Sequence, residues 1–424
     1  MMLSGWGNFP KINAKICSPR DLESLIVQIK KGHAIARGNG RSYGDSSINV
    51  QNTINMKHFK RMLFFDKNHG KLISESGVFL SDIVKVFLPQ GWFPAVTPGS
   101  KFVTLGGMIA ADVHGKNHHK EGSFGKFVEW IELIDKNGKI IRCSKEKNKK
   151  IFEMTIGGMG LTGIILKASI KLKSIETGWI KQKIFRTKNL DETINIFEKT
   201  MNSNYSVAWV DCLQSQKNLG RSLIILGEHA NLKDLKKFKV KRKFPTAEEK
   251  IIFLPFYFHP KVLNKFTVKI FNFFYYYFHY FKRNETLISW DKFFYPLDKI
   301  IGWNKIYGRK GFIQYQCVLP LEKSKEGMKE LLFNISKTGH CSFLTVLKRF
   351  GPQDSLFSFP MEGYTLALDF PVNSKTLKLM ERLDEITLKY DGRFYLAKDS
   401  RLKSETLYKS DRRVYDFVHK RKKE

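Results

Sequence analysis

Apolar and polar residues alternate along Leu166-Lys167-Ala168-Ser169-Ile170-Lys171-Leu172, which predicts a strand with one buried face. Upstream, Trp130-Ile131-Glu132-Leu133-Ile134 and Lys139-Ile140-Ile141-Arg142 read as two further strands. The Asp135-Lys136-Asn137-Gly138 segment between them predicts a hairpin over 128–142 closed by a type I′ turn. Beyond residue 180 the period changes. Residues 190–201, with Ile194, Ile196 and Phe197 apolar, predict an amphipathic helix, and 324–336 and 374–390 predict two more beside strand-like runs. Glycine-punctuated strands thus give way to strands alternating with helices, so the expected fold class is α+β in two parts, 1–175 and 176–424.

One stretch fits neither period. Within 251–283, the run Phe271-Asn272-Phe273-Phe274-Tyr275-Tyr276-Tyr277-Phe278-His279-Tyr280-Phe281 is almost wholly aromatic, with Lys261, Lys265 and Lys269 before it and Lys282-Arg283 after it. The apolar run is too short and too interrupted to span a bilayer. Aromatic rings edged by cations suit a membrane interface, where rings sit at headgroup depth and lysines meet anionic lipid. A buried core helix is the alternative.

Three glycine clusters carry the candidate chemistry. The short apolar run Ala34-Ile35-Ala36 leads into Arg37-Gly38-Asn39-Gly40-Arg41-Ser42-Tyr43-Gly44-Asp45. A strand entering a glycine-rich loop is a common phosphate cradle, because backbone amides can approach a ligand with no Cβ in the way. The spacing is not that of a dinucleotide-binding Rossmann unit, and no acidic residue stands where a ribose would need it. A second cluster runs from Val96-Thr97-Pro98-Gly99-Ser100 through Thr104-Leu105-Gly106-Gly107 to Ala111-Asp112-Val113-His114-Gly115-Lys116. The third, Gly157-Gly158-Met159-Gly160-Leu161-Thr162-Gly163-Ile164-Ile165, opens the alternating strand. Three such loops before residue 170 imply one extended cofactor.

Together the clusters resemble the PCMH-type FAD-binding domain of the vanillyl-alcohol-oxidase superfamily. Leu3-Ser4-Gly5-Trp6-Gly7, Tyr205-Ser206-Val207-Ala208-Trp209, Tyr295-Pro296-Leu297-Asp298, Gln314-Tyr315-Gln316, Phe350-Gly351-Pro352, Asp369-Phe370-Pro371 and Ala397-Lys398-Asp399-Ser400-Arg401 extend the match over nearly the whole chain. They narrow it to one branch, the decaprenylphosphoryl-β-D-ribose 2'-oxidases. The resemblance implies a two-part FAD-binding domain, then an α+β substrate-binding domain whose C-terminal part returns to the flavin. It places Arg37, Gly38, Asn39, Gly40, Arg41, Ser42, Tyr43 and Gly44 at FAD, with Gly99, Thr104, Leu105, Gly106, Gly107, Ala111, Asp112, Val113 and His114. Gly160, Thr162, Gly163, Ile165, Tyr395 and Lys398 complete that set. It gives catalytic roles to Lys398, His114 and Tyr43, and substrate contacts to Lys116, Gln316, Lys348 and Trp209. Alcohol oxidation by a flavin needs a group to take the hydroxyl proton and a positive environment for the reduced ring, and Lys398 can supply both.

The implied reaction is oxidation of the C2 hydroxyl of a polyprenyl-phosphate ribose to the 2-keto sugar. It is the first half of an epimerisation to arabinose for cell-envelope glycan, with a short-chain dehydrogenase/reductase as partner. An aldonolactone or alditol oxidase is one alternative, which the aromatic, basic segment speaks against. A basic lipid- or nucleic-acid-binding protein on a degenerate flavin fold is another, which the intact cofactor loops speak against. Three departures from the branch stand out. Ala367 occupies the place of a cysteine, so inhibitors that trap that thiol should fail. Arg41 occupies the stretch where many relatives attach FAD to histidine, which implies noncovalent FAD. The sequence stops at Lys420-Arg421-Lys422-Lys423-Glu424, short of the usual C-terminal extension.

Composition sharpens this only in part. Of 424 residues, 73 are Lys or Arg against 40 Asp or Glu, a net charge of +33. Such an excess suits an anionic partner or reflects AT-rich coding, and no zinc-finger, helix-turn-helix or RNP signature accompanies it, so no nucleic-acid partner is expected. Cys17, Cys143, Cys212, Cys317 and Cys341 are scattered and form no C-x-x-C, so neither a disulfide framework nor a metal site is expected. Met1-Met2-Leu3-Ser4-Gly5-Trp6 has no basic n-region and no apolar h-region. The expected location is cytoplasmic, or peripheral on the inner membrane.

Overall fold

The computed structural model describes residues 1–247, 252–259, 262–278, 285–340 and 342–423. His279, Tyr280, Phe281, Lys282, Arg283, Lys261 and Cys341, all invoked above, lie outside them.

The chain up to Ser174 builds three sheets, the smallest of which pairs Met2–Leu3 with Ile12–Asn13. Ile16–Cys17, Asn52–Asn55 and Ala34–Arg37 pair in parallel. An antiparallel sheet follows the order Ile140–Ser144, Val128–Ile134, Ile164–Ser174, Lys71–Glu75, Met62–Asp66, and Trp92–Pro94 pairs with the far end of Ile164–Ser174. Ile164–Ser174 is its spine because both its faces find apolar partners. Ile164 and Leu166 pack with Leu25, Ile29 and Ile54, whereas Ile165, Ala168, Ile170 and Leu172 pack with the helices Leu80–Phe87 and Leu105–Ala110. A bulge between Ile165 and Lys167 separates the two registers. The hairpin forms, but its turn is not type I′. Only Gly138 has positive φ, 82°. The Asp135 carboxylate accepts the amides of Asn137 and Lys139 at 2.9 and 2.8 Å, which fixes an ordinary turn followed by one left-handed glycine.

From Trp179 onward one antiparallel sheet dominates, in the order Glu285–Ser289, Trp179–Thr187, Ser222–His229, Tyr205–Val210, Thr345–Phe350, Gly363–Pro371, Phe312–Pro320, Arg393–Phe394. Its faces differ in chemistry, as a period of two requires. Ile313, Tyr315, Cys317 and Leu319 on one strand, and Tyr364, Leu366, Leu368 and Phe370 on the next, face a core shared with the helices Leu190–Lys199, Leu321–Thr338 and Ser374–Lys389. The intervening Gln314, Gln316, Thr365 and Ala367 face a cavity. Leu347 and Lys348 divide in the same way.

The C-terminal segment then crosses back to the first glycine loop. The amide of Tyr43 donates to the carbonyl of Ala397 at 3.0 Å. Gly44 lies so close to the Asp399 carbonyl that a Cβ would stand 2.0 Å from it, so any larger residue would part the two segments. The helix Arg413–Lys423 docks on the body of the protein. Val414 and Phe417 are buried against Met154 and Phe357, and Arg413 donates to the carbonyls of Ser355 and Ser358 at 3.0 and 2.9 Å.

The aromatic stretch forms the helix Lys265–Phe278, and its packing inverts the usual arrangement. Val268, Asn272 and Tyr276 face the protein. Asn272 donates to Asp211 at 2.7 Å, and the Tyr276 hydroxyl donates to the Thr187 carbonyl at 3.0 Å. Phe266, Phe274 and Phe278 are 71, 66 and 64% exposed, so this is no core helix. No helix among the described residues is long and apolar enough to cross a membrane.

Leu366→Ala is expected to cost about 2–5 kcal/mol, because it opens a cavity between the large sheet and its helices. Leu63→Ala, at an exposed position, should cost under about 0.5 kcal/mol. Urea midpoints of the two variants check the difference.

Candidate active site

A cavity of about 410 Å³ is lined on one side by the glycine loops and on the other by the polar face of the large sheet. The loop after Ala34–Arg37 contributes Gly38, Asn39, Gly40, Arg41, Ser42 and Tyr43. The second cluster contributes Gly99, Thr104, Gly106, Gly107, Ala111, Val113, His114 and Lys116, and the third contributes Gly160, Gly163 and Ile165.

This wall fits a long, polar cofactor. Among the described residues the amides of Asn39, Gly40, Arg41 and Ser42 have no protein acceptor. The Ser76 hydroxyl is buried in the same wall without a partner. A buried hydroxyl is rarely left unpaired, and the loop amides are only partly shielded from solvent, so a bound group can pair with both. A Cβ on Gly99 would meet no protein atom within 4 Å, which leaves cavity space where a side chain would otherwise stand. Thr104 caps Leu105–Ala110 by accepting the Gly107 amide at 3.3 Å, which holds the small residues of that turn against the cavity. Arg41 lies over the Trp6 ring at 4.0 Å. The donors, the glycine-lined wall and its guanidinium suit the diphosphate and polar chain of FAD.

The sheet wall brings together Trp209, Gln316, Lys348, Thr365 and Ala367, with Tyr395 and Lys398 from the returning segment. Gln316 donates through one amide nitrogen to His114 Nε2 at 3.0 Å and to Thr365 Oγ1 at 3.2 Å. Burial, then the nearby Lys348, keeps the His114 imidazole well below its usual pKa and therefore neutral.

Three amines converge on this side. Burial pulls Lys116 down to about 7, with Lys348 adding repulsion. It pulls Lys348 down to about 8, and Lys398 down to about 7. Lys116 donates to the carbonyl of Phe293 and lies 4.3 Å over that ring. Lys398 Nζ sits 3.8 Å over the ring of Tyr43, whose phenol burial holds neutral. The carboxylate that acts on Lys398 is Asp369. Burial pushes it up to about 7, partly opposed by Gln314, which donates to it at 2.5 Å, and by Lys398. Its second oxygen is buried without a partner.

Five residues expected at the cofactor stand behind the wall instead. Arg37 reaches away to the Ser4 carbonyl at 2.7 Å and Ser47 at 3.2 Å, bracing the N-terminal segment. Gly44 is pressed against Asp399. Leu105 is wholly buried in the apolar core. Asp112, at φ 38°, accepts from Ser123 and the Gly125 amide at 2.7 Å each and from Gln353 at 3.0 Å. Thr162 bonds the Thr155 hydroxyl at 2.9 Å.

Conversely, Asp369, Gln314, Asp298 and Tyr275 belong to the site or its immediate surround, although sequence reasoning placed none of them in it. Gln314 lies two positions from Gln316, and Asp369 lies two from Ala367. Once one residue on each strand is placed, the alternation points to the other.

The sequence family described as FAD binding domain matches residues 18–144. A decaprenylphosphoryl-beta-D-ribose oxidase from Mycolicibacterium smegmatis is 35% identical over 431 aligned residues, which cover 99% of this chain and 93% of that protein. An L-gulonolactone oxidase from Bos taurus is 26% identical, but over 36% of this chain and 34% of its own. A D-lactate dehydrogenase from Anaerostipes hadrus is 27% identical over 30 and 28%. These two likenesses extend over about a third of the chain, whereas the first includes the sheet wall. The chain is therefore an FAD-dependent oxidoreductase and belongs to the decaprenylphosphoryl-β-D-ribose oxidase family.

Proposed function

We propose that this protein oxidises the C2 hydroxyl of a polyprenyl-phosphate ribose to the 2-keto sugar. The observation that carries the reading is the set of three buried lysines facing a cavity whose opposite wall fits FAD. Amines removed from water and placed near one another are destabilised as cations. A phosphate brought between Lys116 and Lys348 would restore the charge of those two amines, so the site is built for an anionic substrate. A neutral alditol offers no such compensation.

In this reading Lys116 and Lys348 hold the phosphate, and Gln316 and neutral His114 orient the ribose. Trp209 meets the first apolar carbons of the prenyl chain. When bound, FAD supplies the acceptor for the hydride leaving C2. Neutral Lys398 takes the hydroxyl proton, and the ammonium it becomes leaves a positive charge beside the cofactor. Asp369, fixed by Gln314, holds the pKa of Lys398 higher than burial alone would leave it, and Tyr43 supports the amine from below. A short-chain dehydrogenase/reductase reducing the 2-keto product would complete the epimerisation. We place the protein in the cytoplasm or at the inner-membrane surface, where such a lipid-linked sugar resides, with the exposed aromatic helix toward the bilayer.

Anaerobic mixing with a polyprenyl-phosphoryl ribose should bleach the flavin, and Lys398→Ala should slow bleaching by about 100-fold or more. Bleaching by free alditols alone, or at an unchanged rate in the variant, contradicts the assignment. The bleaching rate should rise with pH through about 7 as the coupled Lys398 and Asp369 pair loses a proton. Asp369→Asn removes the charge that raises the Lys398 pKa, so the rising limb should move about one unit to lower pH; a limb left in place removes Asp369 from the mechanism. The cofactor is held noncovalently, so acid precipitation should leave the yellow colour in the supernatant and a white pellet.

A further inference from the structure

Two exposed apolar segments lie at the same corner of the molecule as the cavity. The first is the outward face of Lys265–Phe278. The second is the stretch around Ile252–Phe253, which pairs with Ile300–Ile301 and where Phe253 and Phe256 are 61 and 62% exposed. The corner is joined to the cavity by rings. Trp209 and Tyr275 both line the cavity and meet edge to face at 4.8 Å. Tyr275 stacks in turn on Phe271 at 5.5 Å, and Phe271 is exposed. On the other flank Leu263 packs in one cluster with Trp303, another cavity residue. Thus the aromatic helix has one residue in the cavity wall and Tyr276 against the protein, while Phe266, Phe271, Phe273, Phe274, Tyr277 and Phe278 face outward.

Charge agrees with position. The described parts of 252–278 carry Lys265 and Lys269 and no carboxylate. Lys305 lies 4.9 Å over the Phe253 ring. Rings flanked by amines, with no acid among them, match the headgroup region of an anionic bilayer. An apolar surface of this kind, riveted by its polar side through Asn272 and Tyr276, is not left over from poor packing. The lining decides what the bilayer does. The glycine wall and the three lysines take up the polar part of the cavity, and Trp209, Tyr275 and Trp303 line its apolar part, next to the exposed corner, so a chain of many isoprene units leaves on that side.

We infer that the aromatic corner seats on an anionic bilayer so that the substrate's prenyl tail stays in the lipid, leaving along Trp209, Tyr275 and Phe271, while only the phosphoribose enters the cavity. This rests on the substrate reading above, but its first requirement, lipid binding, is independent of it. The test uses the full-length, FAD-loaded protein and the variant Phe266→Ser/Phe274→Ser/Phe278→Ser, three exposed positions outside the cavity. Sedimentation is measured with vesicles of phosphatidylglycerol and phosphatidylcholine, and with phosphatidylcholine alone. Anaerobic bleaching is measured with a long-chain substrate in the vesicles and with a water-soluble analogue carrying two isoprene units.

The wild type should sediment with the anionic vesicles and less with neutral ones. The variant should lose that binding and about tenfold in kcat/KM for the vesicle substrate, mainly in KM, with the soluble analogue unaffected. Equal losses on both substrates would assign the helix a role in the cavity wall alone and overturn the route. Wild type that ignores anionic vesicles overturns it too, and leaves the aromatic corner to a protein partner. Sedimentation without bleaching by either substrate overturns the substrate reading, and with it the tail's path, while preserving the lipid surface.

Discussion

A buried ammonium is stable only when an anion comes to it, and Lys116, Lys348 and Lys398 share a region where Asp369 is the carboxylate acting on Lys398. Most of the architecture can be understood as what holds these amines in place without neutralising them. Lys348 is fixed by its strand, packed on the far face by Leu347 and the helices behind it. Lys398 is fixed because the returning segment is tied to the glycine loop by the Tyr43 amide and by the close approach of Gly44 to Asp399. Lys116 is held by a carbonyl and two rings. Each lysine comes from a different part of the chain, so the site exists only when both β units and the C-terminal segment have assembled.

The same assembly divides labour between the two walls. Glycines and orphan amides make one wall a cradle for a large cofactor, with little side-chain chemistry of its own. The other wall is a strand surface, where alternate positions give rigid placement and where exchanging one residue changes chemistry without touching the core. Ala367 illustrates this. It lies opposite Gln316 and Val346 in the sheet and lines the cavity, so the branch's cysteine position is reached by a methyl group here.

Much of this was legible before the fold. The glycine clusters announced the cofactor wall because backbone exposure needs glycine, a strong local signal. The alternation in Leu166–Leu172 and the helical periods after residue 180 announced the α+β class. What escaped the sequence depended on distance along the chain. Asp369 and Gln314 become a pair because neighbouring strands place them side by side. Arg37, by contrast, has the composition of a phosphate ligand yet turns toward Ser4. The type I′ turn failed because an aspartate carboxylate at the first turn position captured two amides. The aromatic run was ambiguous for a related reason: only Asn272 and Tyr276, bonded to Asp211 and Thr187, decide which side of the helix meets the protein.

The central claim is that the lysines await an anion, and proton uptake tests it most directly. A substrate analogue lacking the C2 hydroxyl can be titrated calorimetrically at pH 8 in buffers of different ionisation enthalpy. Bound phosphate must raise amine pKa values that start near 7 to 8, so binding should take up on the order of one proton, and affinity should fall as pH rises above 8. Binding with no proton exchange and with affinity independent of pH would contradict the account.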